Sequence, residues 1–465
     1  MDGTARTATL VDWATGHGAS LHPAVDVYDD PATGFSFRVK PSSTTPLAPW
    51  EPVVSLPTSL SLSYLNAVSP SPSRPGPAFH SEFLSKTPPH VVGRLFLAKH
   101  YLLGRDSFWW PYIQALPQPA DADSWALPPF WPADDAELLE GTNVEVGLEK
   151  IRVDVAREYR DATELLKLYG DERDKAISVQ LYQWAYCIFS SRSFRPSLVL
   201  ADGDRQSLPP GVSINDFSVL LPLFDIGNHD MTADVRWDLR HDTQTCCELR
   251  VGREFGPGQQ VYNNYSMKTN AELLLGYGFM IPESEELHND YTHVRKRTNT
   301  PKASEEYYIS RRPMDHPSSL LGRYRQELTI DLPPGKAMIG AFQHVQPDMV
   351  WDIFCTLNPP EERARILPVS TSGSEEDEEK QRQHKFFSGD VAEGSPAHAA
   401  LEHTMAIIQH KVMQELERLE ETDVEVPPGE EEALTRNQRL ALEYRQRCRT
   451  VLENTLEAMG AGGQE

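Results

Sequence analysis

The sequence predicts an α+β chain: a core of short β-strands interrupted by a helical insert, followed by a mostly α-helical C-terminal domain. Three textures predict it. From about Leu10 to Tyr64, and again from Ser218 to Tyr265, short apolar runs alternate with Pro, Gly and Ser, as strands and turns do. Between them, about Phe79 to Tyr186, apolar residues recur at helical spacing. After about Glu283 the pattern lengthens into two helical stripes. One β core split by an insert accounts for this order more economically than three separate domains.

The elements follow in sequence. Asp12 and Trp13 fall in a short N-terminal helix, and Phe35 to Val39 and Val53 to Leu56 are the clearest strands. Val91 to Leu103 is apolar at 91, 92, 95, 96, 97, 102 and 103, more than one face needs, so that helix is expected to be buried. Val155 to Tyr169 is amphipathic, and Ile177 to Ser190 continues in the same way. Pro117 to Pro132 reads as a connection, and Gly256-Pro257-Gly258 as the turn before Gln260-Val261-Tyr262. Leu401, Met405, Ile408, Val412, Leu416 and Leu419 share one helical face within 397–420. Tyr444, Cys448, Leu452, Leu456 and Met459 share another within 433–459, as in a pair of long helices. The acidic run Glu375 to Glu379 lies in a stretch, 370–396, expected to be a disordered loop. Removing Ser374 to Lys380 is then expected to leave folding intact. The expected boundaries are 1–78 and 191–283 for the two parts of the β core, 79–190 for the insert and 284–465 for the helical domain.

Composition narrows the class of activity. A chain of 465 residues with 39% hydrophobic and 24% charged residues has enough apolar content for a sizeable core. The net charge of −24 argues against a nucleic-acid binder, which needs clustered Lys and Arg, and favours a basic partner. MDGTARTATLVDWATGHG lacks the apolar centre of a secretory signal, and no run reaches the length of a membrane span. Val219 to Phe224, the longest candidate, is broken by Pro222. Cytosol or nucleus is the expected location, and Arg295-Lys296-Arg297 is too short to argue import. The five cysteines form no CxxC pair, so neither a disulfide framework nor a zinc site is expected. Cys246 and Cys247 read as structural.

Two segments carry the chemistry. LLPLFDIGNHD holds the adjacent pair Asn228 and His229, and NNYSMKTNAELLLGYGF holds Tyr265 and Tyr277 at the ends of a short apolar helical run. Taken singly, each of these residues reads as a core residue whose polar atoms find a local partner. Together and in order they resemble the SET-domain lysine methyltransferases of the Rubisco large-subunit methyltransferase type. Those enzymes pair a split SET domain with a C-terminal helical substrate-binding domain. Gly34-Phe35-Ser36-Phe37 stands in the place of the first Gly-x-Gly motif, and Pro52 to Pro57 resembles the strand after it. Ser107 to Tyr112 and Pro129 to Trp131 match the insert, with Trp109, Trp110, Tyr112 and Trp131 read as packing. Ser191-Arg192-Ser193-Phe194 matches SRxF, and Asp225 to His229 matches DxxNH.

The resemblance implies S-adenosyl-L-methionine as cofactor and a protein substrate. In-line methyl transfer to an amine requires alignment and a dry narrow channel, with no metal. Tyrosine hydroxyls there would position the amine, and the ring faces would favour a cation near the donor. By resemblance, Tyr265 is the catalytic tyrosine. Tyr277 and Phe279 line the lysine channel and the adenine side. Asn228 and His229 contact the cofactor, as do the main chains of Phe35, Ser36 and Phe37. Arg192 meets the cofactor carboxylate or the substrate edge, and Asp225 and Arg195 lie on the substrate side. Three residues depart from the pattern: Ser36 and Ser266 stand where glycine is usual, and Gly227 where a larger residue is. The implied function is methylation of a lysine on a non-histone protein, ribosomal or translation-associated, by a monomer without nucleic-acid or membrane partners. A histidine methyltransferase of the same fold, or a SET-like binding module without catalysis, are the alternatives.

Overall fold

The computed structural model describes residues 3–31, 33–69, 76–200, 208–241, 244–295, 306–369, 374–424, 426, 429 and 431–461. Lys296 and Arg297 of the short basic run, and residues 370–373 of the acidic stretch, lie outside them. The architecture is α+β, as expected, and the chain divides into two compact units. One comprises 1–127 and 151–266, the other 128–150 and 267–465. The division runs through the helix Glu145–Tyr169 and places residues 128–150 with the C-terminal helices.

Among the described residues the first unit contains three small antiparallel sheets. β1 (Ser20–Leu21), β4 (Pro52–Pro57), β9 (Thr245–Val251) and β8 (Val235–His241) make one, in the order β1-β4-β9-β8. β2 (Val25–Asp30), β3 (Gly34–Val39) and β10 (Gln260–Val261) make the second, with β3 central. β5 (Leu62–Ser63), β6 (Ser193–Phe194) and β7 (Val219–Leu220) make the third, with β7 central. β8 alternates between partly covered and exposed side chains, as an edge strand does, whereas β9 is almost wholly buried and takes both Cys246 and Cys247 into the interior. Helix Pro89–Leu103 opens on a proline at its first position and stops at Gly104, whose φ of 56° continues no right-handed helix. Its buried set includes Val91, Val92, Leu95, Phe96 and Leu97, in keeping with its excess of apolar residues. Helix Val179–Arg192 is capped by Ser178 and delivers Arg192 directly into β6.

Among its described residues the second unit is helical, apart from the pair β11 (Tyr291–Arg295) and β12 (Glu306–Ser310). The long helices Pro396–Glu421 and Arg436–Ala461 bury the stripes read from the sequence. Leu401, Ile408, Val412 and Leu419 are buried on one, and Tyr444, Cys448, Leu452 and Met459 on the other. They close a core with Phe342, Phe354, Phe386 and Phe387. Among the described residues no helix is long and apolar enough to cross a membrane.

The acidic stretch corrects the expectation of disorder. Glu375–Phe387 is a helix. Ser374 caps it, accepting from the Asp377 N–H at 3.2 Å while the Asp377 carboxylate accepts from the Ser374 N–H at 3.1 Å. Glu378 and Glu379 pair with Arg382 at 2.9 and 3.1 Å, and Arg363 reaches Glu379 at 2.8 Å. The negative first turn suits the helix dipole, and Phe386 and Phe387 anchor the far end in the core. Deleting Ser374–Lys380 removes the cap and half the helix and leaves the two phenylalanines on a stub too short to hold itself. The expected result is a loss of roughly 2 to 4 kcal/mol, read as a lower midpoint in thermal or urea unfolding; an unchanged midpoint would restore the loop reading.

Candidate functional site

The site is built where the LLPLFDIGNHD segment meets Asn263 to Ser266, all within the first unit. After β7 the chain turns sharply: Leu223 sits at φ 71°, a strained conformation for a branched residue, and is fully buried. The tight turn Phe224–Ile226 follows, then Gly227. A Cβ on Gly227 would stand 3.2 Å from the Asn263 Cβ and 3.4 Å from the Phe37 ring, so glycine here permits a close approach of chains. That approach is a short parallel bridge between His229 and Asn263. The Asn263 N–H donates to the Asn228 carbonyl at 2.7 Å, and the Asp230 N–H to the Asn263 carbonyl at 2.9 Å. The Asn263 side chain is fully buried, its oxygen accepting from the Trp237 indole at 3.0 Å and the Asn264 N–H at 2.8 Å.

Tyr265 is thereby locked to the histidine. Its N–H donates to His229 Nδ1 at 3.0 Å, which leaves the ring proton of a neutral imidazole on Nε2. The two rings stack, centroids 5.0 Å apart and 12° from parallel. The phenol donates to the Gly227 carbonyl at 2.9 Å. Asn228, Gly227, His229 and Tyr265 therefore form one knot drawn from segments well separated in the chain. Ser266, next in line, holds φ 82°, a left-handed conformation that a glycine adopts without strain. Its N–H is held by Asn264 Oδ1 at 2.9 Å.

The Phe35–Phe37 stretch lies on β3. Val39 exchanges both its main-chain bonds with Gln259 and Gly258 on the β10 side, so by strand alternation Phe35 directs its N–H and C=O to that same edge. β10 pairs only as far as Phe37, which leaves this edge of Phe35 beyond the last strand partner. The Ser36 hydroxyl points inward, fully buried and accepting from Gln260 Nε2 at 2.6 Å, so its Cβ stays clear of that edge. Gly34 makes the turn into β3 at φ 77°, and Thr33 beside it accepts from the Asn228 amide at 2.8 Å. A main-chain donor and acceptor beside a partly exposed carboxamide suit the amino-acid end of S-adenosylmethionine. The residues present fit that group, and Phe35 and Asn228 would hold it.

Arg192 and Asp225 are joined to each other. Arg192 Nη1 lies 3.3 Å from the Asp225 carbonyl and 3.5 Å from its Oδ2. Tyr112, on the short helix Trp110–Ile113, donates to the same Oδ2 at 2.8 Å. Burial pushes the Asp225 carboxyl above its ordinary value, against the pull of Arg192 and Tyr112. Burial alone would lower the Arg192 guanidinium, but Asp225, Tyr112 and Tyr265 together outweigh it and the group is held above its ordinary value. Arg195 is exposed at the start of the next turn, and none of the bonds that tie this cluster involves it. Tyr277 and Phe279 belong to the second unit. Tyr277 closes helix Asn270–Tyr277, which Gly278 ends at φ 74°, and its ring stands 6.3 Å from that of Phe279. The Lys268 ammonium lies 5.8 Å over the Tyr277 ring, and burial, aided by Glu272, raises the Tyr277 hydroxyl. The sequence pattern does not single out Asn263; Tyr112 is buried as a packing residue, as expected, and also commits its hydroxyl to Asp225. The paired asparagines ahead of Tyr265 were the one visible signal for the first.

No protein-family model matches the chain. It is 28% identical over 279 residues to the ribosomal lysine N-methyltransferase set10 of Schizosaccharomyces pombe, covering 59% of this chain and 46% of that protein. It is 25% identical over 309 residues to the protein-lysine N-methyltransferase EFM1 of Saccharomyces cerevisiae, covering 58% and 48%. To the human actin-histidine N-methyltransferase it is 24% identical over 306 residues, covering 64% and 45%. The chain thus spans about half the length of the curated relatives it matches. Among solved structures, the SET domain of LSMT bound to lysine and AdoHcy superposes with a TM-score of 0.61 at 15% identity, over 100% of this chain and 92% of that one. Rubisco LSMT bound to AdoMet gives 0.57 at 14% identity, over 98% and 92%. The fold is thus that of the Rubisco LSMT SET-domain structures, and in sequence the chain is similar to protein-lysine and protein-histidine N-methyltransferases.

Proposed function

We propose that this chain is an S-adenosylmethionine-dependent protein-lysine N-methyltransferase acting on a non-histone protein. The observation that carries the reading is the knot of Gly227, Asn228, His229 and Tyr265, which draws the cofactor-side and amine-side residues into one place. When bound, the cofactor supplies a methyl group on a sulfonium. The chain's own residues then do three things. Phe35 and Asn228 hold the amino-acid end. His229 orients Tyr265 by accepting its N–H and stacking on its ring. Tyr265 directs its phenol at a fixed point beside the Gly227 carbonyl, where an amine would be aligned. The roles that the resemblance gives Arg195, Tyr277 and Phe279 stay part of the proposal.

In this reading residues 1–78 and 191–283 are the two parts of the SET domain, 79–190 its insert and 284–465 the substrate-binding domain. A basic protein suits the net charge of −24, and a ribosomal or translation-associated one is suggested by the name of the fission-yeast relative. The protein is a monomer of cytosol or nucleus, without nucleic-acid or membrane partners. A histidine target is the second reading, favoured by the 64% of the chain that aligns with the actin-histidine enzyme. The binding-module alternative loses its main support because Ser36 faces inward to Gln260.

Calorimetric titration with S-adenosylhomocysteine, followed by free L-lysine or free L-histidine, tests the proposal. The expected result is binding of the first and then of lysine. Binding of histidine but not lysine moves the assignment to the second reading, and no uptake of S-adenosylhomocysteine refutes both.

A further inference from the structure

The Asp225 carboxylate is held in an unusually one-sided way. Oδ2 accepts from the Tyr112 phenol at 2.8 Å and faces Arg192 Nη1 at 3.5 Å. Oδ1 is buried and has no hydrogen-bond partner among the described residues. Both side chains that saturate Oδ2 are themselves fixed. Arg192 also reaches the Asp225 carbonyl, which pins the turn that leads into Gly227, Asn228 and His229. Tyr112 is 1% exposed, on the short helix Trp110–Ile113. Trp109, just before it, donates its indole N–H to the Leu60 carbonyl at 3.0 Å and packs edge-on against His100 and Phe96. The phenol therefore comes to Asp225 on a rigid support. A carboxylate buried with one oxygen fully engaged offers the other to a single N–H donor, and its geometry is set before that donor arrives.

We propose that Tyr112 is a positioning residue for methyl transfer: its O–H locks the Asp225 carboxylate so that Oδ1 alone accepts an N–H of the incoming target amine. The proposal rests on the methyltransferase reading. It gives the helical insert a part in the reaction, because the lock comes from the insert and not from the β core.

The test uses pH, because a lock on a carboxylate changes where it titrates. The charged and titratable groups facing Asp225 are Tyr112 from Trp110–Ile113 and Arg192 from Val179–Arg192, with Tyr265 beyond Arg192. Free L-lysine is titrated into the full-length chain saturated with S-adenosylhomocysteine, between pH 4.5 and 8. In the unaltered chain affinity falls at acid pH as Asp225 takes up a proton. Tyr112→Phe removes a bond that favours the charged form, so the fall is expected to begin about one pH unit higher, with S-adenosylhomocysteine affinity unchanged. Replacing Tyr112 by 3,5-difluorotyrosine, a stronger donor of nearly the same shape, is expected to move the fall to lower pH and keeps the test open should the phenylalanine variant unfold. Asp225→Asn is expected to lose the acid limb altogether. A Tyr112→Phe chain that melts earlier but keeps the limb in place shows a purely structural tyrosine and overturns the proposal, as does a cofactor-loaded chain that takes up neither lysine nor histidine. A chain that takes up no S-adenosylhomocysteine overturns the methyltransferase reading itself.

Discussion

Replacing Tyr265 by phenylalanine is expected to lower turnover about 10²- to 10³-fold while changing cofactor affinity by less than about threefold. The two effects separate because the ring and the hydroxyl have different partners. The backbone N–H bond to His229 Nδ1 and the ring stack at 5.0 Å survive the substitution, so the knot that shapes the cofactor side persists. Only the O–H, and with it the bond to the Gly227 carbonyl, is lost. In the proposed reaction the amine then loses the group that aligns it, and the barrier rises by the worth of one preorganised hydrogen bond, roughly 3 to 4 kcal/mol. The measurement pairs calorimetry of S-adenosylhomocysteine with tritium transfer from S-adenosylmethionine into protein extracted from cells lacking this chain. Equal losses in both would make Tyr265 a structural support, and an unimpaired transfer rate would remove it from the reaction.

That division of labour was partly legible in the sequence. Asn228 and His229 sit in one contiguous motif and Tyr265 in another, and each motif is readable because its own members share one turn of chain, whereas their meeting is the work of the fold. Tyr112 was invisible for the opposite reason: its partner Asp225 is brought to it only by the packing of helix Trp110–Ile113 against the core. Nothing in the spacing of Trp109, Trp110 and Tyr112 separates a packing aromatic from one whose hydroxyl is committed. Ser36 and Ser266 were legible as departures but not in their consequences. Strand alternation turns the first inward to Gln260, and the second carries a left-handed φ that only the folded turn reveals. The charge density of the acidic run points to a loop only as long as the cap at Ser374 is left out. Ser374 and Asp377 mark a helix start, and Phe386 with Phe387 supply the buried end that the composition of Glu375 to Glu379 conceals.

Residues 128–150 posed a similar problem, since sequence order puts them in the insert while the structure binds them to the C-terminal helices of the second unit. Arg445 is the residue that holds them. It is 3% exposed and donates to the carbonyls of Leu138 at 3.3 Å, of Leu419 at 2.7 Å, and of Glu140. Around it, Tyr444 donates to Asn143 at 2.7 Å, Asn437 to Asp135 at 3.1 Å, and Thr422 to the Glu140 carbonyl at 3.0 Å. Gly141 has no room for a side chain, since an added Cβ would fall 2.6 Å from the Arg418 carbonyl. Arg445→Met keeps much of the volume but leaves three carbonyls facing an apolar chain. The expected cost is roughly 3 to 5 kcal/mol, a fall on the order of 10 °C in the melting midpoint. Arg449→Met, one turn along the same helix, removes a 2.7 Å pair to the half-exposed Asp423 and is expected to cost under about 1 kcal/mol. Differential scanning calorimetry of the two variants decides between a buried network and a generic loss of charge. If both midpoints fall alike, segment 128–150 is held by something other than Arg445. If only Arg445→Met falls, this segment depends on the C-terminal helices for its stability.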